Sequence, residues 1–184
     1  MILFNENDRC SIRSFTKADI TNKVKWINNP ENNRYLHYNL PLTYDRTLRW
    51  FERNHDLDIR LDCIIDYNKT PVGLIGLLNI DRNNKKAEFY ICLGEREYKG
   101  KGIAKQASSL LIDYAFSGLD LNKLYLYTEK DNIAAQKLFK RLGFIQEGLL
   151  REDLIYNNRK VSRYFYGLLK DDQVESGNDN SYFE

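Results

Sequence analysis

Hydrophobic and polar positions along this chain follow two periods, and the change from one to the other is sharpest in one stretch. Residues 87–93 are apolar or aromatic apart from Glu88 and end at Gly94, which predicts a strand. From Ile103 the period lengthens. Ile103, Ala107, Leu110, Leu111, Tyr114 and Ala115 share one helical face, which predicts a helix to about residue 116. Between the two lies Lys99-Gly100-Lys101-Gly102-Ile103-Ala104, a glycine-bearing turn.

The same reading organises the rest. Residues 11–15 alternate as a first strand, and Thr16 with Asp19 forms a capping box for a helix carrying Ile20, Val24, Trp26 and Ile27. Asn28-Asn29-Pro30 stops that helix. Residues 31–42 mix aromatic and polar side chains, and read either as a loop or short helix over an opening or as a surface loop with its tyrosines packed inward. Thr43 caps a helix bearing Tyr44, Leu48 and Phe51. Strands follow at 59–65, 72–80, 87–93 and 124–127. A helix begins at Asp131 or Asn132 and ends before Gly143, and two long strands, 144–156 and 161–169, are joined by a turn at Asn157-Asn158. The order is β-α-α-β-β-β-α-β-α-β-β, an α/β (α+β) chain with one mixed sheet of about seven strands and four helices on both faces. Residues 1–170 form one domain, and the polar stretch 171–184 is expected to be disordered.

A strand–turn–helix with two glycines aims unpaired backbone N–H groups at one point, where the helix dipole adds positive charge. Such a site suits a phosphate, and glycine lets an anion approach the backbone. Lys99 and Lys101 add formal charge. An ordinary connection with solvated lysines accounts for the same residues. The turn has neither the spacing of a dinucleotide fold nor the ending of a Walker loop.

Composition narrows the field. A net charge of +2 with scattered basic residues gives no footprint for nucleic acid. Three cysteines without C-x-x-C spacing and two histidines spell no metal site. Cys63 and Cys92 sit in apolar runs, as reduced thiols of a cytoplasmic protein would. No run is long enough to cross a bilayer, so no membrane partner is expected.

The element order and two motifs resemble the GNAT acyltransferase superfamily over residues 11–169. Lys99, Gly100, Lys101, Gly102, Ile103 and Ala104 stand where the family has its acyl-CoA signature, with Lys in place of Gln or Arg. Asn132, Ala135, Leu138, an aromatic, then Leu142-Gly143-Phe144 match a second signature. The resemblance implies acetyl-CoA as co-substrate and no metal. Backbone groups of Ile91 and Leu93, flanking Cys92, would pair with the pantetheine arm. The amides of residues 100–104, with Lys99 and Lys101, would hold the pyrophosphate. Asn132 would bond the pantetheine or the thioester end, with Ala135 and Phe139 on the same helix. Lys140 could reach the nucleotide phosphates, while Lys137 reads as part of a solvated face. Family members are often dimers or larger.

Transfer to an amine needs a neutral amine, a stabilised oxyanion and a protonated thiolate. Glu88, a carboxylate in apolar company, is the candidate base, or else a structural ion-pair partner. Many GNAT enzymes carry a Tyr where this chain has Phe139, so the thiolate's proton comes from water or from another tyrosine. Tyr90 and Tyr156 are the candidates, and for each a packing role is the preferred reading. The acceptor is expected to be a small-molecule amine. Residues 26–30 with Arg34, Tyr35, His37 and Tyr38 lean toward a nucleotide-linked amino sugar, contacted by Trp26, Asn29 and those four. Ala87-Glu88-Phe89 and Lys123-Leu124-Tyr125 are similar to polyamine enzymes, whose site Glu31, Asp45 and Glu52 could supply. Protein N-terminal amines remain an alternative. From a different class, Phe139 is compatible with a non-catalytic acyl-CoA-binding module.

Overall fold

The computed structural model describes residues 2–4, 9–54 and 58–173. The expected tail lies outside the described residues from position 174, as does His55. The strands are β1 (Ile2–Phe4), β2 (Cys10–Ser14), β3 (Leu61–Tyr67), β4 (Thr70–Asp81), β5 (Lys86–Leu93), β6 (Lys123–Glu129), β7 (Ile145–Tyr156) and β8 (Arg159–Leu169). They form one sheet in the order β1-β2-β3-β4-β5-β6-β8-β7, antiparallel except for β5 against β6. The strand beyond the expected seven is β1, a three-residue apolar run too short to show a period.

The helices are α1 (Ile20–Asn28), α2 (Pro30–Asn33), α3 (Tyr44–Asn54), α4 (Ile103–Asp113) and α5 (Ile133–Arg141). The fifth, α2, is a single turn that begins at Pro30 and leads into the segment 31–42, with Asn29 as its cap. The layers follow from side-chain alternation along β5. Ala87 and Phe89 join a core with Ile103, Leu111 and Phe139 from α4 and α5. Tyr90 packs on the other face with Ile20, Trp26 and Ile27 of α1 and Phe51 of α3. The turn Asn157-Asn158 has φ of 48° and 59°, the left-handed pair that closes a two-residue hairpin, so β7 and β8 meet where the sequence predicts.

Beneath α1 and α3 lies a polar cluster inside an apolar layer. The ammonium of Lys23 sits 3.2 Å from the Trp50 ring centroid and 5.6 Å from that of Phe15. Arg60 is paired with Asp62 at 2.6 Å, and Tyr90 donates to Asp62 at 2.7 Å. Burial depresses the Lys23 pKa to about 7, with Asp62 pulling it up and Arg60 pushing it down. A lysine lowered in the folded state binds its proton more weakly there than in the unfolded chain. Stability therefore rises with pH from about 7 toward the unfolded pKa near 10.4. Replacing Lys23 by Met keeps the volume and removes the charge. Lys23→Met should stabilise the protein at pH 7 by about 2–4 kcal/mol in urea denaturation. That advantage should shrink between about pH 7 and 10. A variant less stable than the parent at pH 7 would show that the ring contact outweighs the burial.

Candidate active site

The parallel pair β5–β6 is hydrogen-bonded over three positions only, Lys86↔Lys123, Ala87↔Leu124 and Glu88↔Tyr125. Beyond them the strands part. Phe89 to Leu93 keep their antiparallel partners on β4, but lose β6. A cleft of about 620 Å³ opens there. Ile91, Cys92 and Leu93 form its floor. Lys99, Gly100, Gly102, Ile103 and Ala104 close one end, and Asn132, Ala135 and Phe139 of α5 line a wall.

Gly100 and Gly102 both have φ of +78°, the left-handed region that favours glycine. A Cβ built on either meets nothing within 4 Å, so the space above the turn is open. Gly102 immediately precedes α4, whose first amides have no intrahelical acceptor. Asn132 caps α5 by accepting from the Ala135 amide at 3.2 Å, which leaves its own amide hydrogens for the cleft.

On the α1–α3 face of the split lie Glu88, Tyr90 and Cys92. A register shift in β4 turns Asn79 toward Glu88, and its side chain donates to the carboxylate at 2.9 Å. Burial raises the Glu88 pKa above the ordinary carboxylate value, with the Asn79 bond and the charge of Arg163 acting the other way. Three contacts brace residues 35–38 across the split. Tyr35 donates to the Asp131 carbonyl at 3.1 Å, His37 Nε2 lies 2.9 Å from Glu129, and Tyr156 donates to the Tyr38 carbonyl at 2.8 Å.

Comparison with known proteins names this arrangement. The model of the acetyltransferase (GNAT) domain matches residues 9–145. The chain belongs to the GNAT acetyltransferase family. It is 30% identical over 158 residues to the spermidine N(1)-acetyltransferase of Vibrio cholerae, covering 83% of this chain and 88% of that protein. It is 36% identical over 96 residues to the spermidine N(1)-acetyltransferase of Escherichia coli K12, about half of each chain. The crystal structure of spermidine N-acetyltransferase from Vibrio cholerae in complex with CoA and spermine matches with a TM-score of 0.83 and 25% identity. The match covers 90% of this chain and 98% of that one. The protein is therefore an N-acetyltransferase that uses acetyl-CoA.

Within this GNAT frame several expected site residues fall elsewhere. Trp26 is buried, donates to Glu95 at 2.8 Å and packs where a Cβ on Gly94 would stand, so it supports β5 rather than an acceptor. Asn29 caps α2 through its Oδ1, which accepts from the Glu31 amide at 3.0 Å, and it does not line the cleft. Arg34 lies over the Tyr35 ring beside a separate shallow hollow. The Tyr90 hydroxyl is committed to Asp62, and burial and that carboxylate raise its pKa well above 10. Tyr156 donates to a carbonyl outside the cleft. Neither is free to protonate a thiolate. Lys101 turns its ammonium to the Tyr98 ring. Lys140 is exposed and lines another hollow with Asp113 and Asp172, on the side of α5 turned away from Leu138. It is Lys137 that lines the cleft, with Arg141 one turn on and Lys105 of α4. Helical spacing from Leu138 could have found that pair. Asn32, which accepts from Lys99 at 2.8 Å and donates to the Gly94 carbonyl at 2.7 Å, had no local signal.

Gly102→Val tests the turn. The side chain would fill the open space and force a β-branched residue to positive φ, costing about 1–2 kcal/mol of stability. CoA affinity, read by calorimetry on the folded variant, should fall by at least about tenfold. Unchanged affinity would remove the turn from cofactor binding.

Proposed function

We propose that this enzyme acetylates a primary amine of a polyamine, with acetyl-CoA laid along the open side of β5 and Glu88 receiving the amine's proton. The pantetheine arm pairs with Ile91 and Leu93, and the pyrophosphate sits on the amides of residues 100–104. Lys137, Arg141 and Lys105 supply positive charge at the cleft wall. An alkylamine of pKa near 10.4 is neutral about once in a thousand molecules near pH 7.4, a cost of about 4 kcal/mol that a base must offset. The acceptor amine then attacks the thioester carbonyl.

The observation that carries this reading is the charge pattern around Glu88. On the acceptor face Asp62 is held by Arg60, Glu129 by His37 and Arg159, and Asp153 by Arg163. Among the described residues Glu88 is the one of these four carboxylates with no ion-pair partner, its side-chain bond coming from a neutral group, Asn79. The relatives named for spermidine support the polyamine over the amino sugar. So does the structure's use of Trp26 and Asn29, on which the sugar expectation leaned, for packing and capping. The carboxylate set expected for a polyamine is different too. Glu31 pairs with Arg96 at 3.1 Å, and Asp45 and Glu52 are exposed on α3.

A thiol-release assay against spermidine, spermine, amino sugars and N-terminal peptides decides the acceptor. Polyamines should give the highest kcat/KM, and an amino sugar in first place would overturn the reading. Glu88→Gln should lower kcat by about 10²-fold with CoA affinity unchanged. Because Glu88 works ionised and burial raises its pKa, the rate should climb with pH through a value above the ordinary carboxylate range. That limb should vanish in the variant.

A further inference from the structure

The cleft passes through the sheet. Ile91, Leu93, Ala135 and Phe139 line it on the α4–α5 face, and Cys92 and Leu36 line it on the α1–α3 face. Its apex is the last register pair of β5 and β6, Glu88↔Tyr125. Register partners on neighbouring strands project to the same side of a sheet, so Tyr125 stands beside the Glu88 carboxylate. Tyr127, two residues on, points the same way along the arm of β6 that parts from β5. Its partner on β8 is Phe165. The three rings form a triangle with centroids 5.9, 5.7 and 5.2 Å apart.

These rings are half-buried, and none of them belongs to either apolar core. The layer of α1 and α3 packs on Ile64 of β3, Leu74 of β4 and Tyr90 of β5, and includes no residue of β6 or β8. Two ion pairs border the triangle. Lys123 pairs with Glu147 at 2.7 Å and lies 5.6 Å from the Phe165 centroid. Arg163 pairs with Asp153 and lies 4.4 Å from the Tyr127 centroid. Each cation is matched by its own carboxylate, so neither border sets a bare charge against an incoming amine. Farther along β6 the same face carries Glu129, tied to His37 of the braced connection. Glu88 therefore meets Asn79 on its β4 side and the rings on its β6 side.

We propose that Tyr125, Tyr127 and Phe165 are the bed for the carbon chain next to the acceptor's reacting amine, and that this bed makes the enzyme prefer amines on long unbranched chains. The inference rests on the proposed acetylation at Glu88 and names the part of the acceptor that is recognised. The amine nitrogen sits at the apex beside Glu88, where the thioester arrives from the other face of the sheet. Asn79 occupies the β4 side, so the chain leaves over the rings. A polyamine offers what such a bed takes up, a run of methylenes from one nitrogen to the next. Methylenes laid on ring faces leave water and gain dispersion contacts.

Straight-chain primary monoamines test the bed without a second charge. In the parent, kcat/KM should rise about two- to fourfold with each methylene added from ethylamine to pentylamine. In Tyr125→Ala and in Tyr127→Ala the pentylamine-to-ethylamine ratio should fall by about tenfold, with the change in KM more than in kcat. Tyr127→Phe keeps the ring and should keep the slope. Should an alanine variant not fold, Tyr125→Thr and Tyr127→Thr suit a strand and carry the same test. Cross-strand ring pairs also stabilise a sheet whether or not anything lies on them. Rings with that role alone would lower the rate with every amine by one factor and leave the slope as it was. A slope equal in the parent and the variants overturns the proposal, and so does a parent that is flat across the series or turns over none of it. The polyamine reading fails by a different result, an amino sugar ranked above the polyamines in the thiol-release assay.

Discussion

A buried strand that loses its neighbour keeps a row of backbone donors and acceptors that something must satisfy. That constraint organises this molecule. β5 and β6 share three register positions and then diverge, so the inner half of β5 is paired on one side only. Residues 90–93 are only partly buried at the cleft, so solvent or a ligand reaches the groups that face it, and covering them unpaired would cost about 1–3 kcal/mol each. A cofactor arm that carries its own amides, pairing as an extra strand would, turns that cost into affinity. The ring cluster of Phe89, Phe139, Phe144 and Tyr166 stands as a wedge at the point of divergence. The phenyl ring of Phe139 thus fills the wedge.

Much of the fold was legible in the sequence because the signals that built it are local. The strand over residues 86–93 and the helix after Gly102 follow from two periods of alternation. The hairpin at Asn157-Asn158 follows from two residues that tolerate positive φ. The glycine turn was legible for the same reason, since it needs a backbone shape and not a distant partner. The cleft beside β5 follows from the turn and the strand together.

The acceptor side was far less legible, and the misreadings share a cause. The partners of Trp26, Tyr90 and Tyr156 lie 69, 28 and 118 residues away, and no local pattern says that those side chains are already committed. Lys137 and Lys140 differ only in angle around α5, which is resolved once the inward face, that of Leu138, is known. The turn α2 is four residues long, below the length at which helical period can be read.

The charge arrangement bears on how a protein with a net charge of only +2 meets an amine acceptor. Long-range steering needs a sizeable single-sign field, and the acceptor face has none, because its carboxylates are matched by Arg60, Arg159, Arg163 and His37. Several of these pairs are partly exposed and so contribute little to stability. Their effect is to hold positions. Glu129, 4% exposed, fixes His37 and with it the connection that carries Tyr35 and Tyr38 over the split. Selection at such a site acts at short range, through the one carboxylate left bonded to a neutral amide and through the shape of the aromatic wall. Capture of the amine would then be a contact event, and the braces that neutralise the other carboxylates also hold the connection over the split in place.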